Sequence, residues 1–362
     1  MLFPFLKNHR QKFAHPASGK FPVGIFAVCL LALASASRLS ADGNATEIPA
    51  WTANPVTPAG NISQQGVTDS SGNLWFVTDD GVVQKIEAGD PAAAGTGVLT
   101  TIPGLSGATG DYVSKPIILD VGGQDYMFVA AQNNATEANM HKIRLSDGNR
   151  QQFTDLSGGN EKLKGLSEHN GKIYVAYSTT GSITTGAIVR LDTAGGMSRD
   201  TTFSGNGRLS LQNGWDFGIA GAQVEIAFDS ADNLYVTADR IQLLFGLSMN
   251  APTMSSFDAN GAGRFTLDVG SYNNATGGLA GNSVHSPVVD GANIYVTLDS
   301  IGFGGTNQIQ ARQTSDGSPT AGFTTIDLGG ERAIKNPVVS GANLYVSTDQ
   351  GKVHSYNKTT GA

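Results

Sequence analysis

The sequence predicts an all-β fold made of six repeated units, and three observations carry that prediction. The 362-residue chain contains 47 glycines, is 40% hydrophobic and only 15% charged. That composition suits short strands joined by tight turns and excludes disorder, which needs high charge and few apolar side chains. One pattern also recurs along the chain: an apolar run, a Gly/Asn turn, a strand with an aromatic anchor, a second turn, and an alternating strand. The anchors are Trp75, Phe128, Tyr174, Tyr235, Tyr295 and Tyr345, spaced by 53, 46, 61, 60 and 50 residues. A period of about 50 residues with three or four strands per unit is that of a β-propeller blade. Solenoid repeats are shorter, and a sandwich would not copy one unit six times.

The chain opens on a segment that stands apart. Lys7, Arg10, Lys12 and Lys20 precede an apolar stretch from Phe21 to Ala36, and Ala34-Ser35-Ala36 offers a small-residue cleavage site, with Leu39-Ser40-Ala41 a second. Residues 1–41 are therefore read as a secretory signal peptide and processing region, and 42–362 as a single propeller domain. A retained membrane anchor is the rival reading, but the apolar run is short for a bilayer, so no integral membrane segment is expected after cleavage. Export to the periplasm, cell surface or medium follows. The one cysteine, Cys29, falls in the leader, so the mature domain has no disulfide, thiol nucleophile or cysteine zinc site. Five of the 23 basic residues and none of the 30 acids precede residue 42, leaving 18 against 30, a net charge of -12. A nucleic-acid partner is excluded by that sign.

Each unit carries its turn just before the anchor strand, as at Ser70 to Asn73, Ser230 to Asn233, Gly291 to Asn293 and Gly341 to Asn343. A fourth strand follows in five units: Gly97 to Ile102, Gln151 to Leu156, Gly207 to Gln212, Arg264 to Val269 and Gly322 to Leu328. The last unit stops after three strands, while an unassigned strand, Thr46 to Trp51, lies near the other end. Pairing of these N- and C-terminal strands would close a six-bladed ring and hide the sheet edges; Pro49 is acceptable on such an outermost strand.

Pro337-Val338-Val339 followed by Gly341, Leu344-Tyr345-Val346, Gly351-Lys352-Val353 and Thr359-Thr360-Gly361 resembles the quinoprotein-type (PQQ-like) propeller repeat. Asp69 to Gly81 and Phe228 to Val236 resemble NHL-type repeats. The resemblance implies a propeller of the bacterial envelope and specifies blades, not an activity. It would bring PQQ and Ca²⁺. The stacking Trp and vicinal cysteines of those dehydrogenases have no counterpart here, so PQQ is not expected; Ca²⁺ stays open.

Loop lengths are asymmetric. Leu105 to Val113, Asn133 to Asn139, Thr179 to Thr185, Asn213 to Ala222, Arg240 to Thr253, Ser271 to Val284 and Ser300 to Thr306 would all share one face, which marks it for binding a protein or glycan partner. On that face, Asn213-Gly214-Trp215-Asp216-Phe217 offers Trp215 and Phe217 around Asp216, to stack on a sugar or anchor a partner, or else to plug a gap between blades. Ile241 to Met249 is either an elongated hairpin or an exposed apolar patch. The residues just before the first strands, Gln65, Lys115, Lys164, Glu225, Ser286 and Asn336, would line the channel mouth. Four acids at one repeat position, Asp79, Asp239, Asp299 and Asp349, would either cap their own turns or hold Ca²⁺. His285 stands beside Ser286 at the channel mouth, the one histidine placed for chemistry. No HExxH, P-loop, GxSxG or EF-hand pattern occurs. The main functional expectation is an exported, non-catalytic binding scaffold using Trp215, Asp216, Phe217, Lys115, Glu225, His285 and Asn336. The alternative is a Ca²⁺-dependent hydrolase, lactonase or lyase, with the ion held by Glu225, Asn336 and loop carboxylates.

Overall fold

The computed structural model describes residues 61–362 apart from 63, 88–96, 109–111, 134–137, 155–160, 180–184, 214, 217–223, 245–246, 271–280 and 302–305. The leader at 1–41 and the strand expected at Thr46 to Trp51 lie outside the described residues, as does much of the long-loop face. The described chain is all strand and turn. No helix among the described residues is long and apolar enough to cross a membrane.

Six antiparallel sheets follow one another in sequence. Sheet 1 is Val67–Thr68, Leu74–Val77, Val82–Ile86 and Gly97–Thr101. In sheet 2 a first strand broken into Tyr112–Val113 and Ile117–Asp120 leads to Asp125–Gln132, Asn139–Arg144 and Arg150–Phe153. Sheet 3 is Glu161–His169, Lys172–Thr179 and Thr185–Asp192, the last flanked by Ser198–Arg199 and Arg208–Asn213. Sheet 4 again has a split first strand, Trp215–Asp216 and Ala227–Phe228, then Leu234–Leu244, Leu247–Phe257 and Gly263–Asp268. Sheet 5 runs Gly281–Val284, Val288–Asp290, Asn293–Ile301, Asn307–Gln313 and Ile326–Gly329. Sheet 6 has three strands, Val338–Ser340, Asn343–Ser347 and Val353–Asn357.

The second strand of most sheets reads as an unbroken apolar run because both of its faces are buried. In Leu74–Val77, Trp75 and Val77 pack on Met127 and Val129 of sheet 2, while Leu74 and Phe76 point the other way, to Ile62 and Ile86. The same front-to-back stacking joins sheets 2 and 3 through Phe128 and Tyr177, and sheets 3 and 4 through Tyr174 and Val236. Tyr235 and Ile294 join sheets 4 and 5; Tyr295 and Leu344 join 5 and 6. Polar ties repeat the pattern at the turn end. Ser70 Oγ donates to Asp125, Lys142 Nζ to Thr193 O, Arg190 Nη1 to Ala259 O and Tyr295 OH to Lys358 O.

The turn motif has a local cause. Asp69 Oδ1 accepts the backbone N–H groups of Ser71 and Asn73, and its Oδ2 accepts Asn73 Nδ2 and Trp75 Nε1. Asp229 repeats the arrangement with Ala231, Asn233 and the Tyr235 hydroxyl. One aspartate thus fixes the turn and orients the anchor aromatic, which explains the shared Asp-x-x-x-Asn-Leu-aromatic spacing. Ile241 to Met249 belongs to an elongated hairpin, with Leu234–Leu244 paired to Leu247–Phe257 along its length.

Candidate functional site at the first-strand junction

Where the first strands of sheets 2 and 5 are interrupted, a proline (Pro116, Pro287) prevents continuous pairing, and the residue before it turns inward. Lys115, from sheet 2, places Nζ 3.1 Å from Glu225 Oε1, in the break of sheet 4's split first strand. Asn336 Nδ2, on the lead-in to sheet 6, lies 3.3 Å from Glu225 Oε2. Ser286 of sheet 5 accepts the Glu225 backbone N–H at 2.7 Å. Residues from sheets 2, 5 and 6, over a hundred positions apart at the extremes, thus meet at Glu225, Lys115 and Asn336 on its carboxylate and Ser286 on its backbone N–H.

The junction is tight beneath that carboxylate. Val224 N donates to Lys164 O at 2.9 Å, and Tyr112 OH donates to the same carbonyl at 3.0 Å. A Cβ on Gly165 would fall 2.0 Å from Val224 O, so only glycine lets the first strands of sheets 3 and 4 touch backbone to backbone. Burial, with the Glu225 charge as a second cause, pushes the Tyr112 hydroxyl well above its ordinary pKa, so Tyr112 stays a neutral donor. The Lys115 and Glu225 side chains are 33% and 41% exposed.

Of the residues expected to line the mouth, Lys115, Glu225, Ser286 and Asn336 come together. His285 does not join them. Its Nε2 turns to Asp299 Oδ2 at 2.7 Å, both side chains under 10% exposed, and its carbonyl accepts Thr237 Oγ1 of sheet 4. It is a buried tie between sheets. Asp299 and Asp349 do not cap their own turns either: they accept the backbone N–H groups of Ala333 and Arg332, on the lead-in to sheet 6. The loop expected at Asn213 to Phe217 is corrected in part. Trp215–Asp216 is a strand paired with Arg240 and Asp239, because the elongated hairpin extends far enough to supply a partner; Phe217 lies outside the described residues. Tyr112 and Gly165 carried no sequence signal, since each acts through a contact with a different sheet.

The donor set does not fit a calcium ion. Lys115 brings a positive charge to one oxygen of Glu225, where a cation would have to sit. No group of three His, Cys, Asp or Glu among the described residues could hold a metal.

No protein-family model matches the chain, and no curated relative matches it. Solved structures do. A chimera of apocarotenoid oxygenase (ACO) and RPE65 is 13% identical, with 84% of this chain and 70% of that one covered and a TM-score of 0.46. Cobalt-substituted ACO from Synechocystis is 12% identical, with 82% and 66% covered and a TM-score of 0.44. These are not quinoprotein-type or NHL-repeat propellers, so the expected repeat family is corrected. The expected non-catalytic scaffold is corrected with it, since the proteins found are oxygenases by title. At these identities and TM-scores the likeness extends no residue role to this chain.

Proposed function

We propose that the six sheets are the blades of a six-bladed propeller, closed by the chain's N- and C-terminal strands, and that the chain is an exported enzyme working at the channel mouth. The reading is a hydrolase for a small ester or lactone. Glu225 is the general base that takes a proton from the attacking water. Lys115 and Asn336 hold the carbonyl oxygen as it gains negative charge; when the carbonyl re-forms and the ester bond breaks, the leaving alkoxide takes the proton back from Glu225, and the acid product gives its own proton to water. The convergence on Glu225 of side-chain donors from sheets 2 and 6, with Ser286 of sheet 5 accepting its backbone N–H, carries this reading. A half-exposed ion pair adds about 0–1 kcal/mol to stability, too little to account for such an arrangement by structure alone.

Chromogenic esters and a lactone panel followed with a pH indicator test it. Glu225→Gln is expected to lower turnover by roughly 10²- to 10⁴-fold with an unchanged melting temperature. Equal turnover in wild type and variant would overturn the assignment.

A further inference from the structure

Consecutive sheets are joined at the turn end by a cation seated on the next sheet, and one interface departs from that rule. Directly paired residues project from the same face. The residue opposite the anchor aromatic on the third strand is Lys85 in sheet 1, Lys142 in sheet 2 and Arg190 in sheet 3. Lys142 Nζ lies 4.5 Å from the centre of the Tyr126 ring and donates to Thr193 O and Gly195 O at 2.8 and 3.2 Å. Those carbonyls belong to the turn that follows the third strand of sheet 3. Arg190 lies 4.8 Å from the Phe203 ring and donates to Ala259 O, in the corresponding turn of sheet 4. Each seat is therefore an aromatic ring and backbone carbonyls around one positive charge. Lys85 breaks the series, because its Nζ pairs with Glu87 Oε1 of its own sheet at 2.9 Å.

A cavity of about 340 Å³ lies at this point between sheets 1 and 2, lined among others by Asp69, Trp75, Lys85, Asp125, Leu145 and Ser146. Leu145 and Ser146 open the turn after the third strand of sheet 2, the counterpart of the turns at Thr193 and Ala259. The cavity thus keeps the ring and the turn of the cation seat, while the side chain that fills it elsewhere is turned away. It adds a carboxylate: Asp125, whose Oδ2 accepts Ser70 Oγ at 2.6 Å. We propose that this cavity binds a small organic cation, a short alkylamine. Its ammonium donates to Asp125 and to the carbonyls of the Leu145–Ser146 turn, and its carbon chain lies against Trp75, the aromatic type that holds a cation best. The volume is at the small end of ligand sites, which suits a molecule of a few heavy atoms. A net charge of -7 over the whole chain draws cations to the surface. The site is at the turn end of sheets 1 and 2 and uses none of the residues around Glu225.

Putrescine is the probe, titrated by calorimetry at low ionic strength with the matching butanediol as its neutral control. One putrescine is expected to bind per chain and to raise the melting temperature, with no response to butanediol. Asp125→Asn keeps an oxygen for Ser70 but loses the charge, and should weaken binding roughly tenfold. Lys85→Met leaves the Asp125–Ser70 bond in place and removes a like charge from the lining, so it should bind putrescine roughly threefold more tightly. Butanediol binding as well as putrescine would overturn the proposal in favour of a polyol site. Equal affinity in wild type and both variants would overturn it in favour of diffuse attraction to an acidic surface. Binding seen only in Lys85→Met would make Lys85 itself the occupant of the seat. None of these readouts depends on turnover at Glu225, so either proposal can fail without the other.

Discussion

The two ends of the sheets are built on different principles. At the turn end, Asp69 and Asp229 each organise their surroundings through residues two, four and six positions away in sequence. At the first-strand end, Glu225 is held by Lys115, Ser286 and Asn336, whose separations from it run from 61 to 111 residues. A local clamp forms whenever its strand forms. The junction forms only after sheets have stacked, so its order is the product of every interface around it. Substitutions at the two ends should therefore differ in size and in reach.

Gly165→Ala is the most damaging change expected. The new methyl group would meet Val224 O at 2.0 Å, backbone against backbone, and neither strand can yield without shifting its sheet. Overpacking of this kind costs roughly 3 kcal/mol or more. The loss should appear in the denaturant midpoint and, because Val224 adjoins Glu225, in turnover as well. A variant with wild-type stability would mean that the two strands are not in contact.

Asp229→Ala should cost about 2 kcal/mol by leaving the Ala231 and Asn233 donors without their acceptor, Tyr235 OH keeping Thr314 O, yet leave turnover per folded molecule unchanged. The same clamp gives a pH signature. Burial would raise the Asp229 pKa, but the bonds from Asn233 and Tyr235 outweigh it and hold the carboxyl below its ordinary range. A carboxyl depressed on folding contributes stability that is complete above its unfolded pKa, about 4, and is lost as pH falls through the folded value. Acid titration of stability below about pH 4 should thus be shallower in Asp229→Ala than in wild type.

What could be read from the sequence follows the same division. The anchor strands, their turns and five of the fourth strands were legible because each is set by residues within a few positions. Gly/Asn turns, aromatic anchors and alternation carry that information locally. The junction was half legible. Lys115, Glu225, Ser286 and Asn336 were reachable through one rule, the residue before each first strand, applied to every repeated unit. His285 does not join the junction: in the break between Val284 and Val288 its neighbour Ser286 meets Glu225, while the His285 ring turns to Asp299. Tyr112 and Gly165 were invisible, since a glycine that permits close approach looks like any of the 47 until the opposing carbonyl is in place.

The smallest effect on stability is expected where the function is proposed to reside. Lys115→Met removes one partner of a pair whose side chains are 33% and 41% exposed, and solvent screening limits the cost to about 1 kcal/mol or less. Glu225 then keeps Asn336 and water, so its charge is not stranded. If the junction were merely a structural tie, the variant would resemble wild type in every assay. As an oxyanion-holding group, Lys115 contributes only when negative charge develops on the substrate oxygen, so its loss should lower kcat with little change in KM. A matched pair of measurements, urea midpoint and ester turnover, separates the two: a small stability loss with a large kcat loss places chemistry at the junction, and parallel small losses in both would return Lys115 to architecture.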